Sequence, residues 1–244
     1  LSESVCGALL APSAGVVSPW EYALAMAENA VENGVQLQLN TRVEDIQKTD
    51  AGWKLITSQG EVEARYVINA AGVQAGQLHA MAAPLDFTTI PCRGEYYLLD
   101  KSQGNLVKHV IFQCPSKAGK GVLVAPTAHG NIIVGPNAED LPQADTATTA
   151  QGLAEVAEKA RLSLPGLDLR TSIRNFAGVR ANTDQPDFVI RWAAEGFLDL
   201  AGMKSPGLTA AAAVGEYACQ LLEQAGLAMQ SRPRKVETHK KVRF

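Results

Sequence analysis

The chain has 244 residues, 46% of them apolar and 19% charged, with a net charge of -3 and a pI near 5.9. That composition supports a globular core of one large domain or two interlocked ones and excludes disorder throughout. The small negative charge supplies no global field for nucleic acid or an anionic membrane, and no apolar run of about 18 residues or basic-then-apolar leader occurs, so no nucleic-acid partner and no transmembrane segment are expected.

In chain order, Ser18 is a good N-cap, Pro19 fits the first helical position and Glu21 follows three residues after the cap, which predicts a capping box. Leu24, Ala27 and Val31 give that helix one apolar stripe, and Gly34 ends it. Residues 35–40, 42–48 and 53–58 read as short strands, Gln59-Gly60 as a turn into 61–64, and 66–70 as a strong strand ending at Ala71-Gly72. A helix over about 73–81 completes an α/β stretch. From Asp86 the character turns toward β: 87–90, 94–99, 107–113, 121–126 and 131–135 are strands, with His129-Gly130-Asn131 as a hairpin turn between the last two. A helix over about 149–164 places Leu153, Val156, Ala157, Ala160 and Leu164 on one face, and strands at 172–180 and 188–192 lead back to the final elements.

The end of the pattern is its most informative part. Residues 196–200 have strand character, Pro206 and Gly207 punctuate a turn, and Leu208, Ala211, Ala212, Gly215, Cys219 and Leu222 recur at helical spacing. A helix tip built from small residues can bring its unpaired N–H groups against an anion or a polarised ring carbonyl. An ordinary strand, turn and helix packed on a sheet carries the same local pattern.

The four cysteines, Cys6, Cys92, Cys114 and Cys219, are widely spaced and read as reduced thiols of a cytoplasmic protein. His79, His109, His129 and His239 are scattered, with no spacing for a metal pair and no adjacent acid, so no metal is expected. Lys117 to Lys120 do not form a phosphate loop, because the G-x-x-x-x-G-K-[ST] spacing is absent. The basic stretch from Arg232 to Arg243 reads as a solvated linker.

Four segments, in order, resemble the D-amino-acid-oxidase-like family of FAD-dependent oxidoreductases. Ser18-Pro19-Trp20-Glu21 with the following helix and strand leads into Thr41-Arg42-Val43-Glu44-Asp45-Ile46, similar to the family's "T-x-V-x-x-I". Tyr66-Val67-Ile68-Asn69-Ala70-Ala71-Gly72 resembles its "V-I-N-A-A-G" strand end, and Phe176-Ala177-Gly178-Val179-Arg180 its "A-G-hydrophobic-R". Gly202-Met203-Lys204-Ser205-Pro206-Gly207-Leu208 resembles the flavin-contacting turn, and Arg93-Gly94-Glu95-Tyr96-Tyr97 the "R-G-E-Y-Y" of the anaerobic glycerol-3-phosphate dehydrogenase and L-2-hydroxyglutarate oxidase branch.

The resemblance implies an α/β (α+β) fold, an incomplete FAD-binding Rossmann-like layer with an inserted antiparallel-sheet substrate domain. The expected division is 1–85 for part of the FAD-binding domain, 86–180 for the substrate sheet and one helix, 181–228 for the return to the FAD-binding domain, and 229–244 for the tail. No G-x-G-x-x-G spacing occurs; Gly119-Lys120-Gly121 comes nearest, with Val124 in the third glycine's place. The chain is therefore expected to begin after the nucleotide-binding βαβ unit and, alone, to bind FAD poorly or not at all.

Implied for the whole enzyme is hydride transfer from a small anionic hydroxy substrate, glycerol 3-phosphate or an L-2-hydroxy acid, to flavin. Arg180 would grip the substrate's anion with two parallel hydrogen bonds, although Ala181 stands where the family commonly has Pro. Alternatively, Arg180 closes a surface ion pair with Asp184 or Asp187. Strand alternation sends Tyr96 and Tyr97 to opposite faces, so one of them would face the substrate cavity, with Arg93 adding positive charge or merely closing the surface. Cofactor contacts are implied at Val43, Ala70, Ala71, Gly72, Gly202, Met203, Lys204, Ser205, Gly207 and Leu208; Lys204 either stabilises the reduced ring or faces solvent. A redox partner or a following iron-sulfur-type domain is also implied. An amino-acid or amine oxidase using the same arginine, and a non-catalytic module that has lost FAD, stay open.

Overall fold

The computed structural model describes residues 1–114 and 121–230. Lys117 to Lys120, the basic stretch from Arg232 and His239 lie outside the described residues. In chain order the elements are α1 (Pro19–Glu32), β1 (Val43–Thr49), β2 (Gly52–Thr57), β3 (Gly60–Ala64), β4 (Val67–Asn69), α2 (Ala75–Ala82), β5 (Thr89–Leu99), β6 (Leu123–Pro126), β7 (Ile132–Gly135), β8 (Glu139–Asp140), α3 (Ala150–Ser163), β9 (Ser172–Thr183), β10 (Val189–Ala194), β11 (Phe197–Ala201) and α4 (Gly207–Gln224). Among the described residues, no helix is long and apolar enough to cross a membrane.

The chain divides into two compact units, Leu1–Glu21 with Pro91–Val179, and Tyr22–Ile90 with the described part from Arg180 onward. The boundaries fall inside α1, β5 and β9.

The first unit is built on a five-stranded sheet in the order β6-β7-β5-β8, with β9 also paired to β5. Adjacent strands β6, β7 and β5 run antiparallel, and the β6–β7 hairpin closes where Thr127 N–H donates to Asn131 O. Two expected strands, 87–90 and 94–99, are one continuous β5. Pro91 does not interrupt it, because its carbonyl still accepts from Leu141 N–H and a missing N–H costs only one ladder bond. The stretch 107–113 is irregular; it pairs with the sheet at the Ile111–Val124 bridge, and Val107 buries its side chain in the sheet's apolar cluster. On one face, Leu99, Val124, Ile132 and Val134 pack with Val156 and Ala160 of α3, and with Leu164 just after it, into a single apolar cluster. Burial of about seven such side chains at about 1.5–3 kcal/mol each is what holds α3 on the sheet.

The second unit contains two three-stranded sheets. One is the antiparallel meander β1-β2-β3; the other has the order β10-β11-β4, with β11 antiparallel to β10 and parallel to β4. Trp53 and Phe197 meet edge to face with ring centroids 5.3 Å apart, and Ile46 completes a cluster on which α2 residues Leu78 and Met81 pack. Ser18 caps α1, accepting from Glu21 N–H at 3.4 Å. The stripe on α1 is uncovered, however: no residue of that helix is buried, and Leu24 is 47% exposed. Residues 35–40 form no strand either. Their two-residue alternation is present, but no described strand lies alongside to take their N–H and C=O groups, and Val35, Leu37 and Leu39 are exposed.

Candidate active site

β4 and β11 run parallel in the register Val67↔Phe197, Ile68↔Leu198 and Asn69↔Asp199. Two parallel neighbours end on the same edge of a sheet, and in open α/β sheets that carboxyl edge is where ligands bind. Here the edge carries Ala70-Ala71-Gly72 after β4 and Gly202-Met203 after β11, so two of the expected cofactor segments are brought side by side. Gly72 has φ +59, and a methyl group built on it would meet nothing within 4 Å, so the chain presents an open, small-residue surface there.

The second segment is a compact turn. Gly202 has φ +69, Lys204 N–H donates to Gly202 O at 2.7 Å, and Gly207 N–H donates to Lys204 O as α4 begins. Met203, Lys204 and Gly207 are half-buried, whereas Ser205 and Leu208 are exposed. A methyl group at Gly202 would lie 3.2 Å from Thr183 Oγ1. That contact ties the turn to the end of β9, and Thr183 stands three residues, roughly 10 Å, beyond Arg180 on that strand. Alternation puts Arg180 and Asn182 on one face of β9 and the buried pair Ala181 and Thr183 on the other. Thr183 Oγ1 and Asn182 Oδ1 are buried and have no hydrogen-bond partner among the described residues. Such groups cost free energy unless something satisfies them.

Val43 is not among the residues gathered at that edge. It opens β1, and its side chain packs on the cluster anchored by Phe197, at the opposite end of β11 from Gly202.

In the other unit, Tyr96 and Tyr97 do face opposite ways. Tyr97 turns toward α3, where its hydroxyl donates to Leu153 O at 3.1 Å and burial raises its pKa above the usual phenol value. Tyr96 stacks on Phe176, with ring centroids 5.1 Å apart and 9° between the planes. Arg93 sits 2.7 Å from Glu139 and 3.4 Å from Asp145, and also donates to Ala147 O. These bonds fasten the segment before α3 onto β5. Glu95, fully buried, accepts from Thr149 N–H at 2.7 Å and from its hydroxyl at 2.8 Å, so a carboxylate and the N-cap residue together hold the start of α3. The Arg93-Gly94-Glu95 segment is thus a structural clamp for α3.

Sequence reasoning sets His79 aside, yet it lies at the centre of the most connected polar group in the second unit. It projects from α2 and is 1% exposed. Nδ1 is 2.6 Å from Asp199 Oδ2, and Nε2 is 2.9 Å from Pro84 O and 3.5 Å from Asp86. Asn69 Nδ2 donates to Asp199 Oδ1 at 2.8 Å and to Ala75 O at 2.9 Å. Burial works against charge on the ring, but the Pro84 carbonyl and the Asp199 carboxylate outweigh it and raise the His79 pKa. Only one local signal pointed here: His79 falls one helical turn after the buried Ala75, on the inward face of α2.

A family model described as FAD dependent oxidoreductase (DAO) matches residues 1–221. The chain belongs to this family. It is 49% identical over 226 residues to a glycerol 3-phosphate dehydrogenase of Caloramator mitchellensis, covering 91% of this chain and 47% of that protein. It is 34% identical over 216 residues to a glycerol 3-phosphate oxidase of Mycoplasma pneumoniae, covering 84% of this chain and 56% of that one. A solved L-alpha-glycerophosphate oxidase from Mycoplasma pneumoniae, dithionite-reduced with FAD bound, superposes with a TM-score of 0.75 at 34% identity, over 81% of this chain and 54% of that one. The chain therefore spans about half the length of the relatives it matches. The mixed α/β architecture is that of DAO-type flavoproteins.

Proposed function

We propose that this chain forms the substrate-side and ring-side part of an FAD-dependent enzyme that oxidises the secondary hydroxyl of glycerol 3-phosphate. What carries the reading is the shared carboxyl edge of β4 and β11, where Ala70-Ala71-Gly72 and the Gly202 turn stand side by side within one strand's reach of Arg180. The 49% identity to a glycerol 3-phosphate dehydrogenase favours this substrate over an L-2-hydroxy acid.

The residues present fit FAD. Small residues at both strand ends leave the main chain accessible, Gly72 and Gly202 adopt positive φ, and the Thr183 hydroxyl is buried without a partner among the described residues. Ala70 to Gly72 and Gly202 to Leu208 would hold the flavin, which supplies a two-electron acceptor when bound. Arg180 grips the substrate's phosphate through its planar fork, fixing the carbinol carbon where it can react; positioning is its contribution. Of the two tyrosines, Tyr97 spends its hydroxyl on Leu153 O, and Tyr96 stacks on Phe176.

Expression of the complete reading frame that encodes this chain tests the proposal. The expected product shows oxidised-flavin absorbance that bleaches anaerobically with glycerol 3-phosphate and not with glycine; L-2-hydroxyglutarate bleaching it faster would transfer the assignment to hydroxy acids. Folded, colourless protein that takes up no added FAD would overturn the reading.

A further inference from the structure

The Asn69–Asp199–His79 group joins three elements that meet at the proposed flavin edge. Asn69 is the last residue of β4, Asp199 is its register partner on β11, and His79 comes from α2, the helix that follows Gly72. Each member is buried, and the bonding leaves little freedom of assignment. Asn69 directs both amide protons at acceptors, Asp199 Oδ1 and Ala75 O, which fixes its flip, while its Oδ1 faces Ala71 N–H at 3.4 Å. The two ring nitrogens of His79 also face acceptors. Pro84 O can only accept, so Nε2 carries a proton; the 2.6 Å contact between Nδ1 and Asp199 Oδ2 holds a second, which the raised pKa of the ring assigns to Nδ1. The charged groups around the ring are Asp199 from β11, Asp86 from the segment after α2, and Arg191 from β10, which pairs with Asp86 at 2.7 Å; Phe87 covers the ring edge to face at 5.0 Å.

We propose that His79 is a positioning residue: held as an imidazolium between Asp199 and the Pro84 carbonyl, it fixes through Asp199 and Asn69 the relative placement of the Ala70-Ala71-Gly72 and Gly202 turns. This role rests on the assignment of those turns to the flavin, but the mechanical part stands on the chain alone. Asp199 lies only three residues before Gly202, and Asn69 three before Gly72. A lateral shift of either strand end would break the Asn69–Asp199 bond, and a charged His79 makes that bond's carboxylate immobile. Without the imidazolium, Asp199 becomes a buried, half-satisfied anion, whose relief is to draw away from Asn69 or take up a proton. Either response loosens both turns together.

The decisive measurements are made on the complete gene product, first without and then with FAD. In the apoprotein, the His79 ring nitrogens should both keep imidazolium 15N shifts to a higher pH than those of an ordinary histidine. In His79→Gln, amide exchange should quicken about tenfold at residues 70–73 and 201–203 and stay unchanged across β1 and β2, and the Kd for FAD should rise about tenfold. An Nδ1 that loses its proton at or below the pH of an ordinary histidine, turns whose exchange is unmoved, or a uniform rise over the whole chain would each overturn the inference. Should His79→Gln fail to fold, Asp199→Asn serves in its place, with the same pattern expected at both turns and loss of the second ring proton. If the wild-type protein takes up no FAD, the flavin assignment fails, while the ring shifts and the exchange pattern still decide whether His79 couples the turns.

Discussion

Gly202 and Thr183 are in contact where β11 and β9 end, with only 3.2 Å between Thr183 Oγ1 and the place where a side chain would start on Gly202. Two independent constraints therefore act on one residue: a φ of +69, in the left-handed region, and a neighbour that must yield to any methyl. Gly202→Ala is expected to cost about 1–2 kcal/mol of stability from the backbone alone. In the flavin-loaded protein it should also weaken FAD binding, read by fluorescence titration. A stability loss without any change in FAD affinity would separate the turn from the cofactor.

Arg180 stands one strand segment away, and its fork can take a phosphate with two charge-assisted bonds. Arg180→Ala should raise KM for glycerol 3-phosphate about 10- to 100-fold, the equivalent of about 1.5–3 kcal/mol for bonds to a charged group. Arg180→Lys keeps the charge without the fork and should fall between the two. Steady-state kinetics on the complete enzyme decide this; an unchanged KM in Arg180→Ala would assign the arginine to the protein's own ion pairs.

Most of the fold was legible in the sequence because period and punctuation are local. Ser18, Pro19 and Glu21 place the start of α1, Thr149 caps α3 with a 3.0 Å bond from Gly152 N–H, and Gly130 turns the β6–β7 hairpin. Where local pattern needed a partner, it failed: the alternating Val35, Leu37 and Leu39 have no strand beside them, and the stripe at Leu24 has no described residue over it. The site divides the same way. Glycines and small residues at strand ends are visible in sequence, whereas the His79–Asp199 pair spans 120 positions and depends on α2 packing against β11. Likewise, only the fold reveals that Glu95 reaches 54 residues ahead to Thr149.

Tyr96 and Tyr97 are adjacent in sequence and separable by experiment. Tyr97→Phe removes one hydrogen bond, to Leu153 O, and should lower stability by about 1 kcal/mol with KM unchanged. Tyr96→Ala removes the stacking on Phe176, worth about 0.5–1.5 kcal/mol beyond the lost burial, whereas Tyr96→Phe keeps it. A shifted KM in Tyr97→Phe would put Tyr97 in the substrate's path.

Gly152 lies in the first turn of α3 against the buried carboxylate of Glu95, where a methyl group would overlap Oε1 and crowd Asn137. Inside a helix, Gly→Ala ordinarily gains about 1 kcal/mol. Overpacking against a fixed buried group costs about 1–3 kcal/mol. The second effect should win, so Gly152→Ala is expected to destabilise by about 1–2 kcal/mol in urea unfolding, and the double variant Gly152→Ala with Glu95→Gln should not be additive. Stabilisation by the single substitution would mean that α3 shifts freely on the sheet.

The charge on His79 also sets a pH dependence whose sign is fixed. Its pKa in the folded protein is raised: burial opposes the charge, but the Pro84 carbonyl and the Asp199 carboxylate prevail, with Asp86 adding to them. An unfolded histidine titrates near 6.5, so the native state holds a proton that the unfolded state releases above that value. The stabilisation is therefore fully present below about pH 6.5 and lost as pH climbs through the raised folded value. His79→Gln cannot titrate, so the gap in Tm between wild type and His79→Gln should be widest near pH 6 and narrow steadily toward pH 9. Arg191 holds Asp86 by an ion pair at 2.7 Å beside the ring. A gap that widens with rising pH would mean that the folded ring gives up its proton more readily than the unfolded one and is buried neutral.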